Sequence, residues 1–113
     1  MSDCLFCKIV SGDIPSDKVF EDDDLIAFRD INPQAPVHLL IVPKLHIGTT
    51  NDATSDHEVL LGRMQLAATK LAAEQGIADD GYRLIFNCNQ HGGQTVYHIH
   101  LHLLGGRQLL GLG

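Results

Sequence analysis

His98-Ile99-His100-Leu101-His102-Leu103-Leu104 alternates three histidines with aliphatic residues and ends in two leucines. Because side chains along a β-strand point alternately to its two faces, this pattern predicts a strand with all the imidazoles on one face and an apolar opposite face. Imidazole is well suited to moving protons, attacking phosphorus or binding a metal near neutral pH. The stretch therefore predicts a sheet with a core on one side and a histidine site on the other.

Three interpretations of this histidine row differ in what each requires. A purely structural strand needs a hydrogen-bond partner for every buried imidazole. Two histidines two residues apart can bind one zinc ion, but the Cα atoms of His98 and His102 would lie about 13 Å apart at about 3.4 Å per residue. A single ion does not need the whole row, and this favours a catalytic site.

The composition is that of a globular domain. The chain has 113 residues, 44% of them hydrophobic and 19% charged, with a formal net charge of −6, which predicts a single domain over 1–113. The net charge and the lack of a Lys/Arg cluster argue against a nucleic-acid polymer or an anionic membrane as partner. No signal peptide or membrane-spanning run is visible, and three cysteines favour a reducing cytoplasm over a disulfide framework.

The order of elements predicts an α+β domain. Asp3 is expected to cap a short helix that extends to Val10, and a long helix is expected to end near Gln75. That helix is predicted to begin with a capping box, in which Ser55 caps forward and Glu58 reaches back. The predicted strands are 18–20, 25–29, 37–42, 82–87 and 97–104. Short hairpin loops and a single long helix indicate a mainly antiparallel, five-stranded sheet.

A glycine-rich stretch precedes the histidine row. In His91-Gly92-Gly93-Gln94-Thr95 the paired glycines allow the backbone to approach a ligand and expose N–H groups to an anionic oxygen. Gln94 adds an amide and Thr95 a hydroxyl, and Asn87 and Asn89 could add donors from the side. Most Gly-Gly pairs are turns, but this pair lies beside three histidines, and the combination predicts a cradle for one phosphate.

The chain closely resembles the histidine triad family, in its Hint branch of purine nucleoside phosphoramidases. The segment that carries the resemblance is His91-Gly92-Gly93-Gln94-Thr95-Val96-Tyr97-His98-Ile99-His100-Leu101-His102-Leu103-Leu104-Gly105-Gly106-Arg107. Further matching pieces are Cys4 to Pro15, Phe20-Glu21-Asp22-Asp23, Ala27-Phe28-Arg29-Asp30-Ile31 and Pro33-Gln34-Ala35-Pro36-Val37-His38. The likeness covers nearly the whole chain in order, and it implies a HIT-like fold.

The resemblance implies cleavage of the P–N bond of purine nucleoside 5′-phosphoramidates through a nucleotidyl-histidine. His100 is then the nucleophile, His102 donates to a non-bridging phosphate oxygen, and His98 and His38 are supporting histidines. The implied ligand is a purine nucleoside monophosphate, its phosphoramidate or an acyl-adenylate. By the same resemblance, the nucleotide-binding residues are Phe6, Ile9, Ile14, Phe28 and Ile31 around the base, Asp30 at the ribose, and Asn87, Gly93, Gln94 and Thr95 at the phosphate.

A structural zinc site is a separate expectation. Cys4 and Cys7 have the two-residue spacing of a zinc knuckle, although a cysteine pair alone supplies only two ligands. In the metal-binding relatives that the chain resembles, the other two ligands correspond to His46 and His98. Two reduced helical cysteines without metal are the alternative. No cofactor is expected to be required for the chemistry itself.

Other activities and an assembly state follow from the same likeness. A dinucleoside-polyphosphate hydrolase or nucleotidyl transferase could use the same covalent step, and a non-catalytic purine-nucleotide-binding regulator would need only the pocket. Relatives are homodimers, and the small residues of the long helix, among them Ala67 and Ala73, suit close approach of a second helix or ordinary packing on the sheet. The chain departs from some relatives in lacking an aromatic residue in its C-terminal tail.

Overall fold

The computed structural model describes residues 3–113, so the first two residues of the predicted domain lie outside the described part. Two α-helices and five strands follow one another in the order α1 (Leu5–Ser11), β1 (Lys18–Glu21), β2 (Leu25–Arg29), β3 (Val37–Pro43), α2 (Glu58–Glu74), β4 (Tyr82–Phe86) and β5 (Leu101–Gly105). Two short 3₁₀ helices, Thr50–Asp52 and Ser55–His57, precede α2. The predicted α+β class, with one long and one short helix, is confirmed.

All strand pairs in the five-stranded sheet are antiparallel, and the strand order is β1-β2-β3-β5-β4. The crossover that contains α2 lets β5 pair with both β3 and β4, so β5 is a central strand. In its register Leu40 lies opposite His102, and Ile41 lies opposite Leu101. The histidine-bearing strand is therefore fixed on both sides.

Each face of the sheet has its own apolar cluster. Leu39, Ile41, Leu101 and Leu103 pack with Met64, Ala68, Leu71 and Ala72 of α2 on one face. Phe6 of α1 packs with Ile26, Phe28, Leu40 and Val42 on the other face. Because side chains alternate along a strand, the even-numbered histidines of β5 and β3 lie on the α1 face. This arrangement places α1 beside the candidate site.

Both predicted helix N-caps are wrong. The N-cap of α1 is Cys4, whose Sγ accepts a hydrogen bond from the Cys7 N–H, so Asp3 lies one position too early. The first residue of α2 is Glu58, and the N-cap His57 makes no side-chain cap bond. A 3₁₀ helix capped by Thr54 occupies residues Ser55–His57. This extra turn places the start of α2 after Ser55, so the predicted capping box of Ser55 and Glu58 does not form.

The helix end was predicted more accurately than the helix start. Gln75 is the C-cap of α2, and Gly76 follows with φ 76°, a left-handed conformation that glycine adopts without strain. β4 ends at Phe86, one residue short of the prediction. No helix among residues 3–113 is both long and apolar enough to cross a membrane.

Candidate functional site

The histidine row spans the beginning of β5. The strand starts at Leu101, so His98 and His100 precede it, whereas the sequence predicts a strand from residue 97. The cause is the pairing: Leu101 is the first β5 residue with a partner on each side, Ile41 on β3 and Phe86 on β4. The alternation nevertheless persists, since Ile99 lies in the α2 cluster while His98 and His100 contact Phe6 on the opposite side.

His100 is buried with one nitrogen fixed by the backbone. Its Nδ1 lies 2.8 Å from the carbonyl oxygen of His98. A carbonyl only accepts, so Nδ1–H donates and Nε2 of the neutral ring keeps a lone pair. Burial lowers the pKa of His100, against the opposing effect of this hydrogen bond. The edge-to-face contact with Phe6, at 4.9 Å between ring centroids, holds the ring from the α1 side.

His102 stands beside His100 at 4.9 Å between ring centroids. Burial, followed by the neighbouring His100 and His38, lowers the pKa of His102 to about 4. The ring is therefore neutral at pH 7. Its Nδ1 lies 2.9 Å from Nε2 of His38 on the adjacent strand β3. The two imidazoles form a direct hydrogen bond whose direction depends on which nitrogen of His38 carries the hydrogen.

A backbone hydrogen bond fixes which nitrogen of His38 carries the hydrogen. Its Nδ1 accepts a hydrogen bond from the Gln34 N–H at 3.0 Å, so the hydrogen of the neutral ring is on Nε2. Burial lowers the pKa of His38, and the Asp30 carboxylate, 3.4 Å from Nε2, acts against this shift. His38 thus donates to Nδ1 of His102, and the remaining hydrogen of His102 is on Nε2.

The glycine-rich stretch forms a compact turn. Gly93 has φ 80° and its N–H donates to Gln90, while a Cβ added at Gly92 would collide with the Cys88 backbone. The buried Gln94 amide accepts from the Asn89 N–H and donates to the carbonyl oxygens of Gly48 and Val96. A direct bond from this amide to phosphate would require one of these contacts to break.

The remaining predicted phosphate contacts lie around this turn. Asn87 Nδ2 donates to the Gly92 carbonyl, which ties the end of β4 to the turn. Thr95 is exposed. The structure therefore brings Asn87, Gly93 and Gln94 together, with Thr95 next in the chain.

The predicted base-binding residues differ in exposure. Phe6 and Phe28 are buried and form an edge-to-face pair at 5.6 Å, and Ile9 packs against their cluster. Ile14 is half-buried beyond α1, whereas Ile31 is 99% exposed. Asp30 is half-buried, and its Oδ1 accepts from the Asn32 N–H. The structure brings the two phenylalanines together and leaves Ile31 open to a ligand.

A second cluster joins α1 to the loop after β3. The Cys4 Sγ lies 3.3 Å from Nδ1 of His98, the Cys7 Sγ lies 3.3 Å from Nδ1 of His46, and the two Nδ1 atoms are 3.2 Å apart. All four ligand atoms lie within 4.8 Å of one another. The structure thus brings together every residue of the predicted zinc site.

The donor set and its spacing fit zinc. Tetrahedral zinc, with bonds of about 2.0–2.1 Å to nitrogen and 2.3 Å to sulfur, places neighbouring ligand atoms roughly 3.3–3.8 Å apart. The Nε2–H of His98 donates to the Pro43 carbonyl at 2.7 Å, which leaves the Nδ1 lone pair directed at the cysteines. Burial lowers the pKa of His98 and so favours the neutral ring that a metal requires.

Three backbone partners of the histidines were not predicted from the sequence: the Pro43 carbonyl, the His98 carbonyl and the Gln34 N–H. The Asp30–His38 contact was also missed. The sequence could have predicted this contact, because Asp30 follows β2 and His38 lies at the start of β3, and a hairpin brings such positions close together. The backbone partners could not be predicted in this way, because nearly every residue carries a main-chain N–H and carbonyl, and only the folded distances decide which of them reach the imidazoles.

Comparisons with known proteins point to one family. A family model described as scavenger mRNA decapping enzyme C-term binding matches residues 3–110. The chain is 60% identical over 105 residues to the purine nucleoside phosphoramidase of Escherichia coli K12, covering 93% of this chain and 88% of that protein.

Solved structures share the fold as well. A HIT family hydrolase from Legionella pneumophila is 59% identical, with a TM-score of 0.94 and 96% of each chain covered. A zinc-bound histidine triad family protein from Mycobacterium smegmatis is 32% identical, with a TM-score of 0.80 and coverage of 93% of this chain and 76% of that one. The chain therefore belongs to the histidine triad (HIT) family.

Proposed function

We propose that this protein hydrolyses the P–N bond of purine nucleoside 5′-phosphoramidates, with Nε2 of His100 as the nucleophile. The observation that carries the proposal is the hydrogen bond from His100 Nδ1–H to the His98 carbonyl, which leaves Nε2 with a lone pair beside His102. The 60% identity to a purine nucleoside phosphoramidase supports the choice of substrate class.

The reaction has two displacements at phosphorus. In the first, the Nε2 lone pair of His100 forms a bond to phosphorus, and the P–N bond breaks with its electron pair going to the amine, which takes up one proton. In the second, water forms a bond to phosphorus, the bond to Nε2 breaks, and one proton is released. The result is a nucleoside monophosphate, a free amine and a neutral His100.

The neighbouring histidines stabilise charge in this scheme. His102 donates its Nε2–H to a non-bridging oxygen as negative charge develops there. His38 supports this role because its hydrogen bond occupies the opposite nitrogen of the ring. The His98 carbonyl fixes the orientation of His100, so that the first histidine of the row supports the nucleophile through its main chain.

The nucleotide is proposed to lie along the α1 face of the sheet. Asp30 accepts hydrogen bonds from the ribose hydroxyls through its carboxylate. Asn87, Gly93, Gln94 and Thr95 surround the phosphate. Phe6, Ile9, Ile14, Phe28 and Ile31 form the apolar side of the base site, with Ile31 as its exposed member.

A substrate panel tests the proposed activity against the alternatives. The wild-type protein should hydrolyse adenosine 5′-phosphoramidate and guanosine 5′-phosphoramidate faster than the uridine analogue, a dinucleoside polyphosphate or a nucleotide sugar. Preference for the dinucleoside polyphosphate would indicate the alternative hydrolase activity, and preference for the nucleotide sugar a nucleotidyl transferase. Tight purine-nucleotide binding without turnover of any substrate would indicate a binding protein.

A zinc ion is proposed to occupy the cluster of Cys4, Cys7, His46 and His98. Four protein ligands leave no open position for water, so the ion is structural: it holds α1 against the sheet and is not required for the chemistry. Protein purified without chelators should contain about one zinc per chain by elemental analysis. Zinc-free protein with full stability and activity would contradict the proposal.

We further propose that the protein is a homodimer and that it is located in the cytoplasm. Val59 and Leu66 of α2 are exposed, and Phe86 lies exposed on the edge strand β4. A symmetric contact that covers these residues would remove apolar surface from water. Sedimentation should give about twice the monomer mass of 12.3 kDa. A cytoplasmic location suits cysteines that act as metal ligands, and neither a nucleic-acid polymer nor a membrane is proposed as partner.

A further inference from the structure

We propose that Arg107 is a positioning residue that acts through Gln34 to hold His38 as the hydrogen-bond donor to His102. This inference rests on the proposed function and adds to it a residue outside the histidine site. Arg107 follows the Gly105-Gly106 pair at the end of β5. Among residues 3–113 its guanidinium donates to the carbonyls of Gln108 and Gln34 and not to His38 or His102, so its effect passes through the main chain of Gln34.

Hydrogen bonds to the carbonyl and from the N–H of Gln34 connect the guanidinium to the site through the main chain of that residue. Nη2 of Arg107 donates to the Gln34 carbonyl oxygen at 2.9 Å. The N–H of the same Gln34 donates to Nδ1 of His38 at 3.0 Å. Nε2 of His38 then lies 2.9 Å from Nδ1 of His102. Three successive contacts therefore connect an exposed arginine to a proposed catalytic imidazole.

The positions of the ring hydrogens follow from the bond between the Gln34 N–H and His38. A backbone N–H only donates, so Nδ1 of His38 must be the acceptor and the hydrogen of the neutral ring is on Nε2. That hydrogen is donated to Nδ1 of His102, which leaves the His102 hydrogen on Nε2. In the other tautomer of His38, Nε2 would be an acceptor, and His102 would turn a lone pair toward the phosphate oxygen.

The Gln34 main chain needs external support because it lies in the loop between β2 and β3, outside strand pairing. Arg107 provides that support from the turn after β5. A second contact brings the same two segments together: Gly106 has φ 95°, and a Cβ added to it would lie 2.9 Å from Pro36 Cβ. Glycine at 106 therefore permits the close approach that places Arg107 against Gln34.

The test compares Arg107→Ala with Arg83→Ala. Arg83 is a matched control because its Nη2 donates to the Leu110 carbonyl at 2.8 Å and it lines the same open cleft as Arg107, yet it has no bond to Gln34. The readouts are kcat on adenosine 5′-phosphoramidate, the Kd for AMP, and the two-bond ¹⁵N–¹H NMR spectrum of the histidine rings. Signals of His38 are assigned from the spectrum of His38→Gln.

In the wild type we expect an unprotonated Nδ1 and a protonated Nε2 at His38. Arg107→Ala should move this pattern toward the other tautomer and lower kcat about five- to tenfold, the size expected for loss of one typical hydrogen bond, with the Kd for AMP unchanged. Arg107→Lys, which keeps a cationic donor, should restore most of the kcat. Arg83→Ala should leave the tautomer and kcat as in the wild type.

Two results would overturn the proposal. One is an Arg107→Ala protein with the wild-type ring pattern and wild-type kcat; the other is an equal loss of kcat in Arg83→Ala, which would assign the effect to the C-terminal segment as a whole. If Arg107→Ala does not fold, Arg107→Gln is measured in the same way and judged by the same criteria. The NMR pattern needs no substrate, so a wild type inactive on phosphoramidates would refute the proposed function while the spectrum still tested Arg107.

Discussion

The His46–His98 pair and the His100–His102 pair have the same separation between ring centroids, 4.9 Å, yet the backbone binds Nε2 of His98 and Nδ1 of His100. His98 donates Nε2–H to the Pro43 carbonyl and turns its Nδ1 lone pair toward two cysteines. His100 donates Nδ1–H to the His98 carbonyl and keeps its lone pair on Nε2. The difference lies in which nitrogen the backbone occupies, rather than in the spacing of the rings.

His98 belongs to both regions. His98 places its side chain in the cluster with Cys4, Cys7 and His46, and its main-chain carbonyl accepts a hydrogen bond from His100. A metal bound at His98, as proposed, would also hold the residue whose carbonyl orients His100, the proposed nucleophile. If the cysteine-containing region is structural and the other reactive, as proposed, variants of each region should separate stability from turnover.

The largest expected effect is on the reactive side. His100→Ala should lower kcat at least about 1,000-fold, because no covalent intermediate can form without Nε2. The Kd for AMP should change little, since Asp30 and the turn at Gly93 remain. His91→Ala, which removes an exposed histidine from that turn, is the control. Turnover of the variant close to the wild-type rate would assign the nucleophile to another residue.

The metal side should respond mainly in stability. Cys4→Ser should abolish stoichiometric zinc and lower the free energy of unfolding by about 3–4 kcal/mol, as expected for a ligand present at several hundred to a thousand times its Kd. Elemental analysis and urea unfolding measure the two effects. Cys88→Ser replaces a cysteine outside the cluster and serves as the control. Equal losses of stability in both variants would argue against a metal at Cys4.

The sequence predicted the shared face of these histidines because strand alternation depends only on residue order. The two-residue spacing indicated Cys4 and Cys7, and the family resemblance implied His46 and His98; the structure brings all four together. The sequence did not predict the start of β5 at Leu101, which depends on where the partners Ile41 and Phe86 stop pairing. It missed the cap at Cys4 as well, since a thiol is not among the usual N-cap side chains.

A smaller effect is expected from protonation of His102. The unfolded chain takes up a proton at this residue near pH 6.5, whereas the native pKa is about 4. The free energy of unfolding should therefore fall as the pH drops from 6.5 to 4, and His102→Gln should weaken this dependence by up to about 1.4 kcal/mol per pH unit. Urea unfolding at pH 7, 6 and 5 measures it, with His91→Gln as control. Parallel pH dependences of His102→Gln and the wild type would show that His102 titrates alike in both states.

The smallest expected effect concerns the contact that both regions share. Phe6 presents its ring to His98 at 6.1 Å and to His100 at 4.9 Å. Phe6→Leu keeps an apolar side chain but removes both ring contacts, so it should cost about 1 kcal/mol of stability and lower kcat about two- to threefold.

Phe20→Leu alters a half-buried phenylalanine that packs on the α2 side of the sheet and is the matched control. Phe20→Leu should show a comparable loss of stability with unchanged kcat, because the Phe20 ring makes no ring contact with a histidine among residues 3–113. If both variants lowered kcat equally, the aromatic contact with His100 would have no specific role, and the orientation of the nucleophile would rest on the His98 carbonyl alone.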